Sequence, residues 1–207
     1  MHMTPSTVQF WPAGLSAAVL CAATGATPAR AARWQSPIAH ACTFFEIVTP
    51  ARLAMFLAQI GHESGRLLYV REVWGPTPAQ ARYEGRRDLG NVRAGDGRRY
   101  CGRGLIQTTG RANYRATRDG LGARLGADAV PDFEAQPELL EQAQWAALSA
   151  AWYWDSRALS ELADLDSDSA FVAVTRKING GTNGLADRRA LWAAGRAALG
   201  LPPLESV

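Results

Sequence analysis

Apolar residues recur along most of the chain at the spacing of one helix face. The clearest example begins at Thr49 and Pro50, a capping residue and a favoured first-turn residue, and continues to Glu63. Its apolar positions follow the i, i+3, i+4, i+7 pattern, and they are Leu53, Phe56, Leu57 and Ile60. The pattern predicts an amphipathic helix over 50–63 with one buried face.

Similar periodicity predicts further helices, whereas strand patterns are almost absent. The predicted helices cover residues 15–23, 28–45 (with a break at 36–37 as an alternative), 111–119, 138–154, 167–177 and 185–199. Between 75 and 104 the chain is rich in Gly, Pro and Arg and lacks periodicity, which predicts loops with short helical turns. The expected fold class is therefore mainly α, with one irregular, loop-rich insertion.

The size and composition favour one domain over residues 1–207, with 1–26 as an N-terminal helical extension. A chain of 207 residues with 47% hydrophobic residues and seven Trp can bury a sizeable core. The apolar segment 15–26 lacks the basic start of a signal peptide, so it predicts an ordinary helix. No apolar stretch is long enough to span a bilayer.

Neither a disulfide framework nor a metal site is expected. The cysteines are odd in number and widely spaced, at Cys21, Cys42 and Cys101, which favours a reduced cytosolic chain. The histidines are His2, His40 and His62. A zinc-binding His-Glu-x-x-His motif starting at His62 would need a second histidine at position 66, where Arg66 stands. No metal and no cofactor are therefore predicted.

Positive charge is concentrated between residues 82 and 118, although the whole chain carries only +3. Ten arginines in this stretch face three acidic residues, Glu84, Asp88 and Asp96. Such an excess favours an anionic polymer as partner, and peptidoglycan, teichoic acid and nucleic acid all carry negative charge. The alternative is a solvated loop surface.

Two carboxylates stand in different sequence surroundings. Glu63 continues the apolar stripe of its helix, so it is expected to keep its proton against an apolar wall, as a general acid does near neutral pH. Glu72 lies next to Arg71 and is expected to stay ionised. Such a pair meets the needs of glycoside hydrolysis, although nineteen acidic residues offer many other pairs. His62 is interpreted as a packed or capping histidine in preference to a base.

Two polar segments could complete a sugar-binding site. Residues 100–114 (YCGRGLIQTTGRANY) combine flexible glycines with the neutral side chains of Gln107, Thr109 and Asn113, which suit sugar hydroxyl and N-acetyl groups. The alternative is a turn that leads into a helix. Residues 178–188 (INGGTNGLADR) are similar in character, and their alternative is a loop between helices in which Asp187 caps a helix or pairs with an arginine.

Together these segments resemble glycoside hydrolase family 19, the chitinases and the related phage or prophage endolysins. The matching motifs are 56–65 (FLAQIGHESG), 100–114, 178–181 (INGG) and 186–188 (ADR), in the family's order and spacing over about 27–199. The short loop 74–80 (WGPTPAQ), with 83–85 (YEG) and 89–91 (LGN), is more similar to the endolysin branch than to plant chitinases. Leu105 and Thr108 depart mildly from the family pattern, which often has proline and an apolar residue there.

The resemblance implies a lysozyme-like, two-lobed fold with a substrate cleft and an inverting mechanism. In that mechanism Glu63 would be the acid and Glu72 the base, with Glu84 as the reserve for the second carboxylate. Thr109 would position the attacking water, Gln107 and Asn113 would bind sugar, and Asn179 and Arg188 would anchor the substrate and steady the pair. His62 and Tyr100, within the matching motifs, are counted with the substrate-binding residues.

The expected function is that of an endolysin cleaving the β-1,4 glycan backbone of peptidoglycan, without a separate wall-binding domain. The alternatives are a chitinase and a non-catalytic glycan-binding module. A nucleic-acid binder is disfavoured because Tyr83, Tyr100 and Tyr114 are too sparse to form a stacking platform. The protein is expected to be a monomer without stable membrane insertion. It would be made in the cytoplasm without a signal peptide and would act at the cell wall after release.

Overall fold

A computed structural model describes residues 15–204, which are mostly helical. The α-helices are α1 (Ala17–Thr24), α2 (Pro28–Phe44), α3 (Pro50–Glu63), α4 (Pro78–Ala81), α5 (Asp96–Arg99), α6 (Arg111–Leu125), α7 (Ala143–Asp155), α8 (Leu159–Ala163), α9 (Asp168–Asn179) and α10 (Leu185–Ala198). Three 3₁₀-helices cover Arg87–Leu89, Ala127–Ala129 and Pro137–Glu141. Within this part of the chain the only β pairing is isolated bridges, at Arg71–Arg103 and Arg103–Thr108. The prediction of a mainly α fold is confirmed.

Helix α3 lies at the centre of the core. It begins as predicted, with the Thr49 hydroxyl accepting a hydrogen bond from the Arg52 amide, and every residue from 53 to 61 is buried. Helices α10 and α1 pack against it. At Gly61 the backbones approach so closely that a Cβ atom would lie 2.6 Å from the Thr24 Cα. Glycine is therefore required where α3 crosses α1.

The N-terminal helix belongs to this core and is not an appendage to it. Leu20 and Ala23 of α1 are fully buried, and Ala23 also contacts Gly195 of α10. Of the predicted extension 1–26, residues 1–14 lie outside the described part of the chain. The described remainder packs between α3 and α10, the two helices that carry the candidate acid and its arginine partner.

Three helix predictions differ from the structure. First, the helix predicted over 111–119 continues to Leu125 as α6. The alternative break at 36–37 is wrong, because α2 continues through Pro37. The single helix predicted over 138–154 is two elements, a 3₁₀-helix at Pro137–Glu141 and then α7, separated by the extended residue Gln142. Periodicity alone could not separate them, since both elements carry buried apolar residues, such as Leu140 and Leu148.

The loops predicted over 75–104 are confirmed, and they extend over residues 64–110, a loop-rich segment that has only short helices. Backbone hydrogen bonds tie its two ends together: the Glu72 amide donates to the Gly102 carbonyl at 2.8 Å, and the Gly104 amide donates to the Val70 carbonyl at 2.9 Å. These bonds place residues 70–72 alongside the glycine-containing turn at 102–104. Among the described helices, none has both the length and the apolar character needed to cross a membrane.

Candidate active site

Glu63 is the last residue of α3, and it is paired with a buried arginine. One of its carboxylate oxygens lies 2.5 Å from Nη2 of Arg188, in the first turn of α10. Arg188 is only 1% exposed, whereas the Glu63 side chain is 20% exposed. The expected apolar wall around Glu63 is therefore wrong in part, because a guanidinium group forms one side of it. The two residues are 125 positions apart, so local periodicity could not have found this contact.

Gln59 completes the surroundings of Arg188, and sequence reasoning missed it. Its side-chain oxygen accepts from Nη1 of Arg188 at 2.6 Å, and its amide group donates to the Thr175 hydroxyl at 2.9 Å. The Asn183 carbonyl accepts from Nε of Arg188 at 3.2 Å. The available signal was spacing, since Gln59 lies one helical turn before Glu63 on the same face. The buried guanidinium is thus satisfied by one carboxylate and two neutral acceptors.

His62 belongs to a second ion-pair group beside the first. Its Nδ1 lies 2.6 Å from Asp187, and Arg66 forms a bidentate ion pair with the same carboxylate. The imidazole ring also lies against Gly184, where a Cβ would fall 2.2 Å from Cε1. These contacts support the interpretation of His62 as a packed histidine. They also show that Asp187 pairs with an arginine, which was one of the alternatives for the 178–188 segment.

Asp187 links its neighbours most strongly when it is ionised. The hydrogen bond from Arg66, and next the one from His62, lower the pKa of Asp187 from 3.8 to about 2. Because the pKa of this group is lower in the folded than in the unfolded protein, its ionised form stabilises the fold at pH values above the unfolded-state pKa. This stabilisation is lost as the pH falls through the folded-state pKa.

We expect Asp187→Asn to destabilise the protein at pH 7 by about 1 kcal/mol, a figure reduced for the 38% exposure of the carboxylate. The penalty should shrink between about pH 4 and pH 2, where wild-type Asp187 is itself protonated. Urea unfolding at several pH values measures this. Asp128→Asn is the matched control, because Asp128 has no ion-pair partner among residues 15–204. A penalty independent of pH would contradict the electrostatic origin.

Neutral donors hold Glu72, the candidate base. Oε1 accepts from the Gln80 amide group at 3.0 Å and from the Tyr83 hydroxyl at 3.4 Å, and Oε2 accepts from the Gly102 amide at 3.0 Å. Arg71, which the sequence analysis expected to keep Glu72 ionised, instead lies 3.8 Å from Glu141. Burial, and next the Glu72 charge, raise the pKa of Tyr83, so its hydroxyl remains a donor at neutral pH.

Gln80 fixes the orientation of Glu72, and it was also missed from the sequence. It is 4% exposed, its oxygen accepts from the amides of Gly75 and Thr77, and its nitrogen also donates to the Val73 carbonyl at 2.8 Å. Thr77 and Gln80 form a capping box at the start of α4. The Thr-x-x-Gln spacing is a known signal for that motif and could have identified Gln80.

Gln107 and Thr109 lie next to the same turn as Glu72. A Cβ on Gly102 would fall 2.7 Å from Oε1 of Gln107 and 3.2 Å from Oγ1 of Thr109, while the Gly102 amide bonds Glu72. Gln107 has the left-handed φ of 54° and donates to the Gly104 carbonyl, and Thr109 donates to the Gln107 carbonyl at 3.0 Å. Three of the sequence-predicted site residues therefore gather around one glycine.

The remaining predicted site residues lie in supporting positions. Asn113, exposed in the first turn of α6, donates to the Thr109 carbonyl at 2.7 Å. Asn179 shapes the loop before α10 by bonding Gly181 and the Asn183 carbonyl. In this way Asn113 supports the Thr109 side of the site, and Asn179 supports the loop that bonds Arg188.

Two assignments need correction. Tyr100 is 1% exposed, its hydroxyl donates to the Glu134 carbonyl at 3.0 Å, and its ring packs on Tyr114, so it packs the core and is not free to bind substrate. The reserve carboxylate Glu84 is engaged elsewhere, because it accepts from the amides of Gly95 and Gly97. Tyr100 was grouped with the site because its motif, 100–114, also carries Gln107, Thr109 and Asn113, and Glu84 was the reserve because loops around the second carboxylate vary in length within the family.

The chemistry offered by this arrangement is proton transfer between carboxyl groups and a bound substrate. Glu63 ends a buried helix beside a guanidinium group, and Glu72 sits in a loop among neutral donors. Gln107 and Thr109 lie beside Gly102, which bonds Glu72, and Asn113 bonds the Thr109 carbonyl, so their polar groups are on the Glu72 side. Across residues 15–204 no three His, Cys, Asp or Glu side chains are grouped closely enough to hold a metal ion.

Known proteins resemble this chain in sequence and in fold. A glycosyl hydrolase family 19 domain-containing protein of Haemophilus influenzae is 34% identical over 174 residues, covering 71% of this chain and 80% of that protein. An endochitinase of Arabidopsis thaliana is 35% identical over 135 residues, covering 65% of this chain but only 41% of the endochitinase. No family model matches the chain.

Solved structures match nearly the whole chain. A bacterial family 19 chitinase has a TM-score of 0.67 with 23% identity, covering 93% of this chain and 98% of that one. Chitinase C from Streptomyces griseus has a TM-score of 0.64 with 23% identity, covering 93% of this chain and 79% of that one. These matches confirm the prediction of a lysozyme-like, mainly α fold.

Proposed function

Because the chain belongs to glycosyl hydrolase family 19, and so is a chitinase-like glycoside hydrolase, we propose that it is an endolysin-type enzyme that cleaves the β-1,4 glycan backbone of peptidoglycan. We choose peptidoglycan as the substrate because arginine is in excess in the segment that follows Glu72. This segment contacts Glu72 through Tyr83. Peptidoglycan is anionic, whereas chitin is neutral. The similarity of the 74–80 loop to the endolysin branch supports the same choice.

In the proposed reaction the two carboxyl groups act on opposite sides of one sugar ring. Glu63 donates its proton to the glycosidic oxygen, so that the leaving sugar departs as an alcohol. Glu72 takes a proton from a water molecule that attacks the anomeric carbon from the opposite face, and Thr109 orients this water. One bond breaks, one forms with inversion, and solvent exchange returns the proton from Glu72 to Glu63.

Arg188 has a defined part in this scheme. When Glu63 gives up its proton, it becomes a carboxylate 2.5 Å from a buried guanidinium group. The arginine therefore stabilises the charge that develops on the acid during bond cleavage. Gln107 and Asn113 would bind sugar hydroxyl or N-acetyl groups, and Asn179 would support the loop that borders Arg188.

Chitin hydrolysis is the second candidate, favoured by the names of the relatives and structural neighbours. The test is to compare release of reducing ends from purified sacculi and from chitin oligomers by the same enzyme. We expect a higher kcat/KM on sacculi, with products that end in a reducing sugar. A clear preference for chitin oligomers would make the protein a chitinase and would reject the endolysin proposal.

The proposal also assigns a place of action. An endolysin is made in the cytoplasm and reaches the cell wall after release, and we propose that this enzyme does so as a monomer. Clearing of bacteria with permeabilised outer membranes by added enzyme would support action at the wall.

A further inference from the structure

Four exposed arginines in the loop-rich segment have neither a carboxylate partner nor a side-chain hydrogen bond within residues 15–204, whereas Arg99, also exposed and without a carboxylate, donates to the carbonyls of Glu134 and Ala135. The four are Arg82, Arg87, Arg93 and Arg98, which we call the arginine cap. None of them forms an ion pair within residues 15–204, whereas twelve arginines of that range do. The cap is therefore a concentration of uncompensated positive charge.

The acidic residues of the same segment do not neutralise the cap. Asp88 pairs with Arg86, and Asp96 is buried against Arg111 at 2.6 Å. Glu84 accepts from the amides of Gly95 and Gly97, at 2.6 and 2.8 Å. Asp88 and Asp96 are thus neutralised by other arginines, while Glu84 keeps its charge, so four guanidinium groups against one carboxylate leave a local excess of +3 for solvent or a ligand.

The cap residues belong to one folded unit. The two bonds from Glu84 hold residues 95–97 against the chain next to Arg82, and the Asn91 side chain donates to the Tyr83 carbonyl at 2.9 Å. The Asn91 amide also donates to the Arg86 carbonyl at 2.9 Å, beside Arg87. These cross-links bring the backbones that carry the four arginines together around residues 83–91.

The same unit touches the candidate base. Tyr83, next to Arg82 in the chain, donates to Glu72 at 3.4 Å, and Gln80 donates to the same oxygen at 3.0 Å. Anionic groups that meet the cap would therefore belong to sugar units near the bond that is cut. A guanidinium group binds a carboxylate or a phosphate through two parallel hydrogen bonds, and the carboxylate is the anionic group that the peptide branches of peptidoglycan themselves carry.

We propose that the arginine cap binds carboxylate groups of the peptide branches on the glycan strand being cleaved. This inference rests on the proposed peptidoglycan hydrolase function and identifies the chemical feature of the substrate that the enzyme recognises. The cap lowers KM for peptide-bearing strands and leaves kcat unchanged, because it binds the substrate equally before and during bond cleavage. It contributes nothing to binding of a neutral glycan.

The test compares two double variants with the same change in charge. Arg82→Gln/Arg98→Gln removes half of the cap, and Arg33→Gln/Arg176→Gln removes two exposed, unpaired arginines on α2 and α9. On soluble glycan strands that carry peptides we expect the cap variant to raise KM about fivefold, with kcat changed less than twofold. High salt should reduce the difference, since exposed charges are screened. The control variant should match wild type.

Further substrates separate the sources of negative charge. Strands stripped of their peptides should show no effect of the cap variant, and strands with attached phosphate polymer should behave like strands without it. An effect that appears only with the phosphate polymer, or that is equal on peptide-free strands or in the control variant, would overturn the proposal.

A binding measurement distinguishes this inference from the proposed reaction. Sedimentation of Glu63→Gln protein with sacculi, with and without the cap substitutions, reports binding without cleavage. If binding depends on the cap but the wild-type enzyme does not cleave sacculi, the proposed reaction is rejected and the role of the cap is supported. Cleavage of sacculi with no dependence on the cap would reject the cap and leave the reaction standing.

Discussion

Replacing Glu63 with glutamine is expected to lower kcat on the polymeric substrate about a thousandfold, since general acid catalysis contributes roughly 10²–10⁴ in rate. Glutamine can still accept a hydrogen bond from Arg188, but it cannot deliver a proton to the glycosidic oxygen. The loss should be much smaller on an aryl glycoside, whose phenolate leaving group is stable without protonation. Initial rates on both substrates measure the difference.

The controls for Glu63→Gln separate chemistry from folding. The substitution leaves Arg188 without its carboxylate, so the melting temperature should fall by a few degrees, and rates must be compared below the transition. Glu161→Gln, an exposed acidic residue at the start of α8, should retain wild-type activity. Full activity of Glu63→Gln on the polymer would reject the acid assignment.

Replacing Glu72 with alanine is expected to lower kcat by about 10²–10³, because no side chain then accepts the proton of the attacking water. Added azide or formate should restore part of the rate by entering the space left by the carboxylate, whereas neither should restore Glu63→Gln. Product analysis would reveal a glycosyl azide if azide attacks in place of water. An unchanged rate in Glu72→Ala would show that another group is the base.

Gln80→Leu gives a graded version of the same test. It leaves the Glu72 carboxylate in place but removes its 3.0 Å donor and one half of the capping box. A misplacement of about 1 Å can lower a rate up to roughly a hundredfold, so kcat should fall ten- to a hundredfold. Thr77→Val weakens the same capping box from its other side. Its melting temperature therefore shows how much stability is lost when α4 is weakened.

The helical face that leads to Glu63 could be predicted from sequence because its signal is local. Apolar spacing and the cap at Thr49 lie within α3 itself, and the structure reproduces both. The contact with Arg188 could not be predicted from local patterns, since it depends on how α10 packs on α3. The resemblance to a known family supplied Arg188 as a site residue, but not the burial of its guanidinium group or its bond to Gln59.

The surroundings of Glu72 were predicted less well for a related reason. The neighbouring Arg71 suggested a cationic partner, but successive residues of an extended segment point in opposite directions, and Arg71 lies near Glu141. The donors to Glu72 come instead from a capping box and from the turn at Gly102, which only the folded chain brings together. Tyr100 was misassigned because its motif contains both packing and site residues.

Consecutive residues of α3 meet consecutive residues of α10: His62 bonds Asp187, and Glu63 bonds Arg188. Sliding one helix along the other would break both links at once, and α1 packs against both helices. The end of α3 that carries the candidate acid is therefore fixed to α10 at two adjacent positions, whereas the candidate base Glu72 is held by loop residues, through Gln80, Tyr83 and the Gly102 amide.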